Sequence, residues 1–234
     1  YCGRPVDLAA LDSTKVTTYF KHHRNDELAK FCDEYVSGNG SGNLLMRNPV
    51  VPIFLDLEEE STKRYVLKAG LYGIGRKLRD DLKKNAEAYM SVNGRTYQLW
   101  QMAAESLSIP IRKLPTLELS NEITVIAPES IRRRVGEAED CESGMVFTSD
   151  YSGAPPNHAN HIGIRIRRGN DVYVGRRYYL VIDSREPKLS KSVATSFDTA
   201  KKVGALTANS CFTVWRVSVA ASSSKRETAA NMFA

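Results

Sequence analysis

Long apolar runs are missing from this 234-residue chain. Nothing in it approaches the roughly 18 consecutive apolar residues of a membrane-spanning helix, so no membrane span is expected. Cysteine is scarce: Cys2, Cys32, Cys141 and Cys211 lie far apart with no CxxC pair. That spacing fits neither a zinc site nor a dense disulfide scaffold, so no metal or cofactor is expected and a reducing compartment, cytoplasm or virion, is favoured. Also absent are a Walker lysine, an HExxH pair and a basic tail. The net charge of +6, from 33 Lys and Arg against 27 Asp and Glu, is spread along the chain, so any site for an acidic polymer must come from local clustering.

What is present suggests an α+β protein. Residues 1–114 read as a mainly helical domain, 115–221 as a mainly antiparallel β domain with one helix, and 222–234 as a flexible tail. In 25–36, Asn25 suits an N-cap, and Leu28, Phe31, Cys32, Tyr35 and Val36 recur at helical spacing. Ile74, Leu78, Leu82, Ala86, Tyr89 and Met90 make a second helical stripe that Asn93-Gly94 should end, and Thr96 can cap a third helix through Leu99, Trp100, Ala103 and Leu107. Beyond Leu114 the period shifts toward two. "LELSNEITVIAP", "GMVFTSD", "HIGIRIRR", "VYVGRRYYLVID" and "CFTVWRVSVAA" are strand candidates, and "LSKSVATSFDTAKKVGAL" is the expected helix among them.

The stretch 161–183 carries the main functional signal. Gly169-Asn170 sits where a two-residue hairpin turn belongs, which predicts that 162–168 pair with 172–182. In that register Ile162, Ile164, Ile166, Tyr173 and Tyr179 take the core face, with Arg177 at its edge. Arg165, Arg167, Arg176 and Tyr178 take the other face, beside the gap left by Gly163. Guanidinium groups hold phosphate through a planar fork, and tyrosine rings stack on unpaired bases. Arg165, Arg167, Arg168, Arg176, Tyr178, Arg185 and Lys188 are therefore the expected track for a single-stranded nucleic acid or similar polyanion. The competing reading is a solvated basic face.

Secondary basic candidates are Arg76 and Lys77, after the glycines of "GLYGIGRKL", and Arg132, Arg133 and Arg134. The last three precede Glu137, Glu139, Asp140 and Glu142, a split that suits self-association of identical chains. A hydrolase or protease site would have to come from Cys141, His158 and His161 with Asp150, around 141–161, as a Cys/His or metal arrangement. A third possibility is a protein-interaction scaffold whose arginines meet acidic surfaces.

The segment "YGIGRKLRDDLKKNAEAY" resembles a stretch in coat proteins of flexuous filamentous plant viruses of the potyvirus type, through Tyr72, Gly73, Ile74, Arg76, Leu78, Arg79, Asp80, Ala86 and Tyr89. The strand-rich second half departs from that family's pattern, and no residue role is carried over. The leading expectation is a non-enzymatic, self-associating basic protein that binds and packages single-stranded RNA, in a nucleocapsid or coat role.

Overall fold

The computed structural model describes residues 6–9, 19–22, 50–71, 74, 76–142, 144–148, 161–166, 177–183, 197, 199–208 and 211–218. Two short strands, β1 (Val6–Ala9) and β2 (Tyr19–His22), form an antiparallel pair of their own. The principal element is a barrel built from β3 (Ile53–Glu59), β4 (Arg64–Gly70), β9 (Gly144–Thr148), β10 (His161–Ile166), β11 (Arg177–Asp183), β12 (Thr199–Leu206) and β13 (Phe212–Ser218). Around its circumference the order is β4, β3, β10, β9, β11, β13, β12 and back to β4. An odd number of strands cannot alternate direction all the way round, so one junction must be parallel. That junction is β4 with β12, and the other neighbours are antiparallel.

Between β4 and β9 the chain makes an insertion. It contains α1 (Arg76–Lys84), β5 (Tyr89–Val92), β6 (Arg95–Gln98), α2 (Leu99–Ala104), β7 (Ser108–Pro110), β8 (Ile123–Ile126) and α3 (Glu129–Val135). The strands β6, β5 and β8 form a small sheet, while β7 continues the barrel sheet along the far part of β4. Insertion and barrel interior share one apolar core: Leu78, Leu82, Met90, Met102 and Ile131 are continuous with Leu55, Leu67, Phe147, Val181 and Val214. The insertion joins the barrel at the end of β4 and the start of β9, and it covers that end. No helix among the described residues is long and apolar enough to cross a membrane.

The expected α+β fold with a helical N-terminal half is not seen: the described residues are mostly β, with a seven-strand barrel and three short helices. Residues 25–36 lie outside the described set, but 53–70, most of which sequence periodicity left unassigned or helical, is the β3–β4 hairpin. Its residues are buried on both faces, so neither a two- nor a 3.6-residue alternation shows. The second helical stripe is real only over Arg76–Lys84. Ala86 is exposed, Tyr89 and Met90 belong to β5, and Asn93-Gly94 is a hairpin turn, not a helix end. Asn93 (φ 52°) and Gly94 (φ 77°) both take left-handed backbone between Val92 and Arg95, as a type I′ turn requires. The expected β-domain helix is also corrected: Thr199–Leu206 is β12, because pairing with β13 and β4 outweighs the helical preference of its Ala and Lys.

The predicted hairpin between 162–168 and 172–182 does not form. Strand β9 lies between β10 and β11 and is antiparallel to both. β10 and β11 therefore run in the same direction and cannot be joined by a two-residue turn.

Candidate polyanion-binding site

The inner face of the barrel is identified by one contact. Tyr65 on β4 and Tyr179 on β11 have ring centroids 6.2 Å apart, although β12 and β13 separate their strands in the sheet. Side chains converge in this way only on a concave surface. Gly204 on β12 makes the crossing possible, since a Cβ there would stand 2.5 Å from the Tyr65 ring and 2.0 Å from the Lys63 carbonyl oxygen.

Register then assigns a row of residues to that face. Lys201 pairs with Arg216, Arg216 with Tyr179, Tyr179 with Phe147, and Phe147 with Arg165. Barrel strands tilt, so a row perpendicular to them climbs from one end of the barrel to the other. Exposure follows the climb: Lys201 is exposed, Arg216 and Tyr179 are half-buried, and Phe147 and Arg165 are buried. The next row toward the open end is Thr199, Ser218 and Arg177, with the Thr199 and Ser218 hydroxyls 2.7 Å apart.

The mouth of the barrel thus gathers Arg177, Lys201 and Arg216 beside Tyr65 and Tyr179. Among the described residues no carboxylate forms an ion pair with these three cations. The acidic turn between β3 and β4 is engaged locally. Glu59 accepts hydrogen bonds from Thr62 Oγ1 (2.6 Å) and Ser61 Oγ (3.0 Å), which hold its carboxyl below the usual range, and Glu60 pairs with Lys63. Lys201 and Arg216 stand directly opposite each other on neighbouring strands, and like charges so placed are destabilising. Burial, with Tyr179 next in effect, pushes the Tyr65 hydroxyl above the ordinary tyrosine value, and Arg216 opposes the shift.

The residues expected to bind from sequence are placed differently. Arg165 does not face solvent. Its side chain is 6% exposed, and it donates from Nη1 to the Glu139 carbonyl (2.9 Å) and from Nη2 to Cys141 Sγ (2.7 Å) and the Glu139 carboxylate (3.4 Å). It fastens the returning strand of the insertion to the barrel. Tyr178 is buried too, on the outer face with Val146, Ile166, Leu180, Ile182 and Val217. The faces expected from the hairpin are reversed at β10, where Arg165 points inward beside Phe147 and Ile166 outward beside Val146, because β10 pairs with β9 and not with β11. Arg167, Arg168, Arg176, Arg185 and Lys188 lie outside the described residues.

Of the secondary candidates, Lys77 is exposed on α1 and Arg76 begins that helix. Arg132 and Arg133 share Glu129 (2.7 and 2.9 Å), Arg132 also reaches Glu137 (3.8 Å), and Arg134 pairs with Asp81 on α1. Asp140 accepts hydrogen bonds from the Ser120 backbone N–H and hydroxyl. The split of charge in 131–142 is thus engaged largely within the chain. Neither Cys141 nor Cys211 is in a disulfide, and burial above all pushes the Cys141 thiol up, against the lowered value a nucleophile needs. His158 is outside the described residues, and no group of three metal-ligating side chains occurs among those described.

Sequence reasoning missed Arg216, Lys201 and Tyr65. The alternation in "TVWRVS" was a usable sign for Arg216, since Val214 and Arg216 share a face. Nothing local marked Lys201. No family model, curated protein or solved structure matches this chain.

Proposed function

We propose that this chain is a non-enzymatic protein that binds and packages single-stranded RNA, or a polyanion of the same chemistry, and associates with copies of itself in a nucleocapsid or coat role. The observation that carries the reading is the like-charge pair Lys201–Arg216 at the barrel mouth, kept beside two tyrosines and with no carboxylate partner among the described residues. A phosphate between these cations relieves their repulsion and gains charge-assisted hydrogen bonds. The half-buried Tyr179 ring, backed by the buried Tyr65, offers a face on which an unpaired base stacks. Arg176 directly precedes Arg177 in the chain, and with Arg167 and Arg168 it belongs to the proposed set.

The test has two parts. Purified protein is compared at 260 and 280 nm with and without nuclease, and co-purifying nucleic acid is expected. Binding of a labelled single-stranded RNA is then followed across salt concentrations for the wild type and for the triple variant Arg177→Gln, Lys201→Gln, Arg216→Gln. The variant should melt no lower than the wild type, bind more weakly, and show a slope of log affinity against log salt reduced by about 0.7 for each lost contact. Unchanged affinity and slope would sink the proposal.

A further inference from the structure

Resting on that reading, we infer that the mouth takes the phosphorylated end of a single strand, not a strand running through or past the barrel. Two observations exclude a continuous path. The row of inner-face residues has one accessible end: beyond Tyr179 it is filled by Phe147, and Arg165 is held under the insertion by Glu139 and Cys141. Among the described residues the outer face of β11 and β13 offers no basic track, because Tyr178, Leu180, Ile182 and Val217 are buried in an apolar cluster there. A polymer that engages the half-buried Arg216 together with the exposed Arg177 and Lys201 therefore reaches into the mouth and leaves through the same opening.

A strand terminus has the right shape and charge. A terminal phosphate monoester carries close to two negative charges near neutral pH, against one for an internal diester. Three cations converging on one opening suit the higher charge. The terminal base then lies toward the half-buried Tyr179, behind which Tyr65 is packed in the core, while the Thr199 and Ser218 hydroxyls at the rim supply hydrogen bonds to the ribose.

The experiment compares three RNAs of one length and sequence: linear with a 5′ phosphate, linear with a 5′ hydroxyl, and circular. The 5′-phosphorylated strand should bind about tenfold more tightly than the circle, the ratio that roughly 1.4 kcal/mol gives, and the 5′-hydroxyl strand should lie between them. Uridine 5′-monophosphate should compete with the linear strand. Arg216→Gln should erase the difference between linear and circular RNA. Equal binding of all three would overturn the inference and leave the RNA-binding reading intact. Absence of binding by any of them would overturn both.

Discussion

Arg132, Arg133 and Arg134 on α3 and Arg177, Lys201 and Arg216 at the barrel mouth are two basic triplets of the same size. On the helix, the i,i+3 and i,i+4 neighbours of Glu129 are Arg132 and Arg133, so the sequence brings its own counter-charge within 3 Å. On the barrel, cross-strand neighbours come from distant parts of the chain, and the neighbour of Arg216 is another cation. Density of arginine in a sequence therefore does not measure available charge. The run that looks most basic is the more neutralised, and the dispersed residues make the cluster that no described carboxylate pairs with.

A third arginine marks the extreme of this contrast. Arg165 is both buried and fully engaged, so Arg165→Met should cost about 3 kcal/mol in a denaturant titration, by leaving the Glu139 carbonyl unsatisfied and loosening the insertion from the barrel. A loss below about 1 kcal/mol would mean that the insertion is held by apolar packing alone.

Lys201→Glu sharpens the comparison by giving the mouth what α3 already has. Placing a carboxylate opposite Arg216 should stabilise the fold by about 0.5 kcal/mol while lowering RNA affinity. Arg133→Gln, its counterpart on the helix, should change stability by no more than about 0.5 kcal/mol and leave RNA binding alone. If Lys201→Glu destabilises the protein, the two cations are not in repulsive contact.

The smallest effect is expected at alkaline pH. The folded state holds the Tyr65 proton more tightly than the unfolded chain does. This contribution to stability is complete below the ordinary tyrosine value near pH 10 and is lost as pH rises through the higher folded value. Tyr65→Phe should flatten the decline in melting temperature above pH 10, and an unchanged slope would assign the decline to other groups.

Beside Ile123–Ile126 of the insertion, four of the seven barrel strands were legible in the sequence: Gly144–Thr148, His161–Ile166, Arg177–Asp183 and Phe212–Ser218 all lie within runs rich in β-branched and aromatic residues. The three that were not, β3, β4 and β12, are buried on both faces or made of Lys, Ala and Gly, and their state is decided by partners far away in the chain. The candidate site was legible only as a class of chemistry. Arginine and tyrosine in neighbouring stretches of sequence raise the expectation of an anion site, but the inward turn of Arg165 depends on Glu139 and Cys141, 26 and 24 residues upstream. The insertion of β9 between β10 and β11 has no local signature at all.

The parallel seam between β4 and β12 has a kinetic consequence. It joins Arg64 and Tyr65 to Ala205 and Leu206, and the Thr207 side chain reaches the Tyr65 carbonyl across 142 residues. During synthesis the first half of β4 waits with an unpaired edge until β12 has emerged, while the insertion, rich in short-range contacts, has already been made. Such a long closure places refolding in the slow, millisecond-to-second range of non-local β topologies. It also leaves an open strand edge, the kind that pairs with a neighbouring chain, exposed for as long as the barrel is incomplete.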